Sequence, residues 1–202
     1  MSRCLYFLMI MASFVSCKKS ETVIPPENHS LFLATQNTMF TGKLDNTSMD
    51  WRFGMAFQKS MSNENGTGIC DPSDPIRLVS FSLIDNANPQ DRFILYSPKY
   101  DASSNTAISS IFTPGKKKLG NKRTDFYFEW RLGSKTYSTT GSNTPGEIEI
   151  LKAEEIINPI GMYIMRVWFK INGNMSTCAC TNAKSVPVNG YLLAEFIEYR
   201  KP

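Results

Sequence analysis

Apolar and polar residues alternate along several short stretches of the chain. In residues 126–132, two phenylalanines, a tryptophan and a leucine fall at every second position, with tyrosine, glutamate and arginine between them. Residues 51–57 and 163–171 repeat the pattern. A period of two is typical of a strand with one buried face, so each stretch is predicted to form one strand.

Less regular alternation predicts further strands at residues 40–44, 77–84, 92–96, 135–139, 147–152 and 190–197. Segments rich in Asp, Asn, Gly and Pro separate the strands, and one such predicted turn spans residues 113–121. Long polar loops are expected at residues 60–75 and 97–109, and loops of this kind often carry binding surfaces. The one helix-like stretch is residues 150–157, which ends before Pro159.

Many short strands with Gly/Pro turns and no recurring helices predict an all-β fold, because parallel α/β folds need a helix between strands. We expect a single antiparallel β-sandwich-like domain. The alternative is a closed or partly open β-barrel.

The first residues of the chain have the composition of an export signal. Arg3 precedes an apolar run at residues 5–15, which is too short to cross a hydrocarbon core of about 30 Å as a helix. The run ends in Phe14, Val15, Ser16 and Cys17, which resemble a bacterial lipobox. The resemblance implies that the Cys17 thiolate takes up a diacylglyceryl group and that cleavage follows Ser16. The alternative is an ordinary secretory signal peptide in which Cys17 is incidental.

These features predict a lipoprotein signal peptide at residues 1–16, a lipid-anchored flexible tether at residues 17–36 and the folded domain at residues 37–202. Residues 18–30 include two prolines, mostly polar side chains and His29, a composition typical of a linker. Acylated Cys17 is expected to hold the protein on the bilayer without a spanning helix. No acidic residue directly follows Cys17, which favours the outer membrane and leaves its face open.

The two ends of the chain resemble those of small secreted lipoproteins common in Bacteroidota. The similarity rests on the Ser16-Cys17-Lys18-Lys19 junction, on residues 33–42 (LATQNTMFTG) and on a last strand that opens with Asn189-Gly190-Tyr191. The chain departs from the pattern at residues 45–48, where the usual glycine-containing turn is absent. The resemblance implies a β-rich extracytoplasmic domain and carries no catalytic residue across.

The composition restricts the chemistry of the folded body. The chain has 202 residues, five cysteines, one histidine and a formal net charge of +4. A single histidine, placed in the tether, excludes multi-histidine metal sites and a histidine-activated serine in the body. The small net charge does not favour nucleic acid as a partner. We therefore expect neither a cofactor nor an enzyme.

Three cysteines remain after Cys17, in a compartment where disulfides persist. Cys70 could pair with Cys178 or Cys180, the last two could pair with each other, or all three could remain thiols. A metal site built on three cysteines would lack an ordinary fourth ligand, so no metal is expected.

Two groups of residues are candidate binding elements. Residues 116–118 are three lysines, followed by Lys122 and Arg123. They form either a solvated turn that protects a strand edge or a contact for phosphate-bearing glycolipid or acidic polymer. Trp168 shares a strand face with Arg166 and is either packed beneath a second layer or partly exposed as a platform for a sugar or another protein.

The sequence as a whole favours a membrane-anchored extracytoplasmic lipoprotein that binds or scaffolds a glycan or an envelope protein without catalysis. One alternative is a hydrolase of envelope or dietary polymer that uses two carboxylates across a cleft. Another is a carrier of small apolar ligands, which requires a closed barrel with a vacant interior.

Overall fold

The computed structural model describes residues 29–65, 75–103, 107–140, 145–177 and 184–198. These residues form two short helices and twelve strands in chain order. Their bounds are α1 His29–Ala34, β1 Met39–Leu44, β2 Thr47–Arg52, β3 Phe57–Asn65, β4 Ile76–Asp85, β5 Arg92–Tyr96, β6 Tyr100–Asp101, α2 Ala107–Ile111, β7 Gly115–Lys118, β8 Tyr127–Leu132, β9 Lys135–Ser138, β10 Gly146–Ile157, β11 Tyr163–Ser176 and β12 Ser185–Glu198.

All named strands belong to one antiparallel sheet, which confirms the predicted all-β class. The strand order is β2-β1-β12-β11-β9-β8-β5-β4-β3, with β10 between β11 and β7, and β6 beside β4. The two arms of the sheet approach each other where β3 meets β12. There the Asn63 side-chain amide donates to the Ile197 carbonyl at 3.4 Å, and Lys59 pairs with Glu195. The sheet is therefore nearly closed, as in the predicted barrel alternative.

The interior of the barrel is filled by one hydrophobic cluster to which most strands contribute inward-facing side chains. Aromatic rings dominate it: Phe40 lies edge-on to Trp130 with centroids 4.9 Å apart, and Phe93 to Phe128 at 4.1 Å. Such pairs contribute packing energy beyond their buried area. The alternation in residues 126–132 and 163–171 predicted these inward faces correctly.

A second, smaller cluster lies on the outer face of the sheet, beneath α1. It contains Phe32 of α1 and Met39, Trp168, Tyr191 and Leu193 of the strands below. Phe32 is completely buried. α1, which lies before residue 37, therefore packs against the described sheet. None of the helices in the described ranges has the length and apolar character needed to cross a membrane.

The strand predicted at residues 51–57 is wrong because the chain reverses within it. β2 ends at Arg52 and β3 begins at Phe57. Gly54, at φ +154°, lies in the turn, and its N–H donates to the Phe57 carbonyl at 2.8 Å. Trp51 consequently stacks on Phe57 with centroids 4.8 Å apart, whereas Met55 projects fully into solvent.

Other local predictions are corrected by strand pairing. Residues 150–157, predicted as helix, belong to β10, which pairs with β11 along nearly its whole length. Residues 115–118, predicted as a turn, form β7 beside β10. The loops predicted from residues 60 and 97 contain the end of β3, the short β6 and the start of α2. For the strands among these, hydrogen bonds to a partner strand outweigh weak local preferences.

Candidate functional site

An open cleft of about 650 Å³ lies in the barrel wall between β7 and the segment that joins β5 to β6. The lysines of β7 line one side, and Pro98, Lys99 and Asp101 line the other. Ile111 of α2 and Phe126 contribute apolar surface. The lining residues all lie within residues 98–126, and the fold arranges them as one concave surface.

The cleft exists because the described wall is not hydrogen-bonded at this point. β7 pairs with β10 along one edge only. Its other edge is joined to the rest of the wall just beyond its end, where Leu119 and Phe126 form an isolated bridge. The gap beside residues 115–118 therefore remains open to solvent.

The cleft is lined by four lysines and two aspartates. Lys116 pairs with Glu147 at 2.9 Å and Lys118 with Asp125 at 3.5 Å. The Lys117 ammonium donates to the Thr113 hydroxyl at 2.9 Å. Lys99 is exposed, and neither it nor Lys117 forms an ion pair with any residue in the described ranges. The cleft consequently carries an excess of positive charge.

Both aspartates of the cleft accept hydrogen bonds from neighbouring residues. Asp125 accepts from the backbone N–H of Asn121 at 3.1 Å and from the Thr124 hydroxyl at 3.3 Å. Asp101 accepts from the Ser103 N–H at 2.8 Å, and hydrogen bonds from the Ser103 side chain and backbone lower the pKa of Asp101 below its ordinary value. A general acid needs the opposite shift, so Asp101 is not suited to donate a proton at neutral pH.

Tyr100 lies between the cleft and the core. Its hydroxyl accepts from the Asn63 amide at 3.2 Å, and burial raises the pKa of Tyr100 above its ordinary value. The phenol is therefore neutral at physiological pH. It links β3 to β6 and is not an activated nucleophile.

Trp168 has no exposed surface. It is therefore packed beneath a second layer and is not an exposed platform for a ligand. The rings of Phe32 and Tyr191 pack near it in the outer cluster, and the Lys152 ammonium lies 4.3 Å from its ring centroid. The α1 helix, which sequence periodicity did not predict, provides this cover.

Arg166 is occupied by neighbouring side chains. Its Nε and Nη2 donate to Glu195 Oε1 at 3.0 and 2.9 Å, Nη1 donates to the Gln36 side chain, and Glu154 lies 3.6 Å away. Neither Arg166 nor Trp168 lines the cleft. The structure therefore does not bring this predicted pair into the candidate site.

The basic residues predicted at the turn after β7 have separate positions. The Lys122 ammonium lies 3.9 Å above the Tyr96 ring, and the Arg123 carbonyl accepts from the Lys99 N–H at 3.0 Å. Of the predicted basic group, only the three lysines of β7 line the cleft.

The remaining predicted site residues, Ser16, Cys17, Cys70, Cys178 and Cys180, lie outside the described residues. Lipidation and disulfide pairing therefore stay predictions. In the described ranges, no group of three or more His, Cys, Asp or Glu side chains is arranged to hold a metal ion.

From the sequence, the lysines of one wall were a possible contact or a solvated turn, and the other wall was not predicted. The three lysines are adjacent in sequence and form a visible cluster. Lys99 is isolated in a polar loop, and only the fold shows that it lines the same cleft. The loop length at residues 97–109 was the one available signal. The chain matches no family model, no curated protein and no solved structure. The assignment of the site therefore depends on its geometry and charge.

Proposed function

We propose that the chain is a membrane-anchored extracytoplasmic lipoprotein whose folded body is a non-catalytic binding module for ligands that carry carboxylate or phosphate groups. The observation that carries this proposal is the lysine-lined cleft in the wall of an otherwise closely packed barrel. The ligand would be an anionic glycan or an acidic segment of an envelope protein.

Charge and shape together support an anionic ligand. A cleft with low-dielectric walls and one prevailing sign of charge concentrates the field and attracts the opposite charge. Lys99 and Lys117 are the cations in the cleft that the described carboxylates do not neutralise. Their ammonium groups can donate charge-assisted hydrogen bonds to carboxylate or phosphate oxygens.

The hydrolase alternative has less support. A glycosidase needs two carboxyl groups across a cleft, one of them protonated at working pH. The cleft contains Asp101 and Asp125, and the pKa of Asp101 is lowered. Asp125 is engaged by the Asn121 N–H, the Thr124 hydroxyl and the Lys118 ammonium.

The carrier alternative also has less support, because aromatic side chains such as Phe40, Phe93 and Trp130 occupy the barrel interior. An apolar ligand of useful size needs a cavity of several hundred Å³. Filling the interior with side chains leaves the surface as the place for ligands.

The lipid anchor rests on the sequence. Cys17 ends a lipobox-like motif, and α1 begins at His29. Residues 18–28 between them could span at most about 40 Å if fully extended. We place the protein at the outer membrane, where such a tether would present the cleft close to envelope polymers and raise their effective concentration.

The binding proposal can be tested by calorimetry with the mature chain and a panel of anionic probes: polygalacturonate, chondroitin sulfate and a glutamate-rich peptide. The double variant Lys99→Gln/Lys117→Gln should weaken binding at least about tenfold, because it removes both unpaired cations. The matched variant Lys43→Gln/Lys135→Gln removes two exposed lysines from other surfaces and should bind normally.

Added salt should also weaken binding, since the cations of the cleft are reached by solvent. Equal losses in the two double variants would mean that binding depends only on overall charge. Absence of binding by every anionic probe would contradict the proposal outright.

A further inference from the structure

We propose that the free edge of β7 receives an extended acidic peptide, which adds one strand to the sheet inside the cleft. The inference rests on the proposed function and names its ligand class. It follows from the juxtaposition of unpaired backbone groups and lysine side chains on a single strand edge, at Lys116 and Lys118.

The hydrogen-bonding phase of β7 determines which residues face the cleft. In an antiparallel pair, backbone groups point alternately toward the partner strand and away from it. The Leu119 N–H donates to the Gly146 carbonyl at 3.2 Å, so the groups of Leu119 and Lys117 point toward β10. Those of Lys116 and Lys118 consequently point toward the cleft.

Two further hydrogen bonds confirm this orientation and show where the free edge ends. Phe126 N–H donates to the Lys118 carbonyl at 3.2 Å, and Gly120 N–H donates to the Phe126 carbonyl at 3.0 Å. Among the described residues, none bonds the N–H or C=O of Lys116 or the N–H of Lys118. Two donors and one acceptor therefore face the open cleft.

The spacing of these groups matches a strand. The two N–H groups belong to residues i and i+2, which lie about 7 Å apart along an extended chain. An added peptide strand presents its own carbonyl groups at the same repeat. Strand addition at a sheet edge uses these main-chain bonds for affinity and alternate side chains for specificity.

The lysines of β7 determine which peptide strands can pair favourably with its free edge. Lys118 and Lys116 are opposite Glu147 and Glu149 of β10, on the outer face of the sheet, because Ile148 between these glutamates is buried in the core. Lysines on an edge strand repel other copies of the same edge and disfavour apolar strands. An acidic residue directly opposite a lysine is instead stabilising.

The favoured ligand is therefore a peptide with Asp or Glu at alternate positions, whose carboxylates would share Lys116 and Lys118 with Glu147 and Asp125. Lys99 on the opposite wall and Lys117 of β7 are further cations within the cleft. A glycan could use these ammonium groups but has no regular series of amide donors and carbonyl acceptors to pair with the β7 backbone.

Two substitutions at one position separate backbone pairing from charge. Lys116→Gln removes the charge and keeps the N–H. Lys116→Pro removes the charge and also the N–H, which faces away from β10, and proline is tolerated on strand edges of this kind. Circular dichroism and the unfolding midpoint would verify that both variants keep the fold.

Strand addition predicts that a short peptide with alternating glutamate and threonine binds the Pro variant roughly fivefold to tenfold more weakly than the Gln variant. Equal affinities would overturn it. N-methylation of the peptide at the amides that face β7 should cause a similar loss, and no loss would likewise contradict the proposal.

Amide hydrogen exchange of the mature chain provides a direct readout. Peptide binding should slow exchange at the Lys116 and Lys118 amides at least about tenfold and leave Lys117, already bonded to β10, unchanged. If polygalacturonate binds in the cleft while the peptide does not slow amide exchange, the strand-addition proposal is wrong and the anion-binding proposal is retained. If no anionic probe binds, the proposed function itself fails.

Discussion

Glu195 is the one charged side chain that is buried among the described residues, with 3% of its surface exposed. It lies on β12 and pairs with Lys59 of β3 and Arg166 of β11. Arg166 also reaches Glu154 and Gln36. A buried carboxylate is tolerated only when cations or donors compensate its lost hydration. Glu195 of β12 therefore links β3, where the barrel closes, with β11 on its other side.

Glu195→Ala should lower the free energy of unfolding by about 3 kcal/mol, because two partly buried cations would lose their shared carboxylate. Urea denaturation followed by circular dichroism would measure the change. The matched variant Glu147→Ala removes a carboxylate from the exposed pair with Lys116 and should leave the midpoint close to that of the wild type. Equal effects of the two variants would contradict the assigned role.

At the scale of elements, α1 depends on its contacts with the sheet. A helix of six residues is too short to be stable alone in water. Phe32 supplies the contact: its ring centroid lies 4.9 Å from that of Tyr191, and both belong to the cluster that covers Trp168. The helix and the buried tryptophan are thus mutually dependent.

Phe32→Ala should cost about 3 kcal/mol or more, since it leaves a cavity above Trp168. Tryptophan fluorescence should shift toward longer wavelength as water reaches the indole. Leu31→Ala is the matched control in the same helix, because 52% of the Leu31 surface is exposed, and its effect should be small. A Phe32 variant with unchanged fluorescence and stability would show that α1 is not needed to cover the sheet.

Alternation along the chain located several strands closely, including some whose alternation is irregular. Residues 92–96 coincide with β5, and residues 40–44, 77–84 and 126–132 lie in β1, β4 and β8 with shifts at their ends. In β10 the strand predicted at residues 147–152 is confirmed, whereas the helix predicted at residues 150–157 is wrong, and a register shift lies between Ile150 and Lys152. A bulge changes which residues face inward, so the period of two is lost locally.

At the scale of the whole molecule, near-closure of the sheet determines which described surfaces remain open. The interior is filled, α1 covers part of the outer face, and the gap between β7 and Lys99 forms the basic cleft. The proposed tether enters the fold at α1 on the outer face. Anchoring and ligand binding would thus use separate surfaces of the barrel.

Cys17→Ala should release the protein from the membrane fraction, because the thiol that accepts the diacylglyceryl group is removed. Cell fractionation followed by immunodetection would show the protein in the soluble envelope fraction. Cys70→Ala is the matched control and should leave the protein in the membrane fraction. Retention of the Cys17 variant on the membrane would contradict the lipid anchor.

The sequence by itself determined the all-β class and most of the strands, because these depend on a local period of two, and it contained the lysine cluster without deciding its role. The tertiary structure decided what depends on contacts between distant segments. The fold places Lys99 opposite β7 and covers Trp168 with α1. Strand pairing and closure of the sheet bring Lys59 and Arg166 to Glu195. Alternation along a strand predicts which of its faces is buried. Which residues pack against that face depends on the order and register of all the strands.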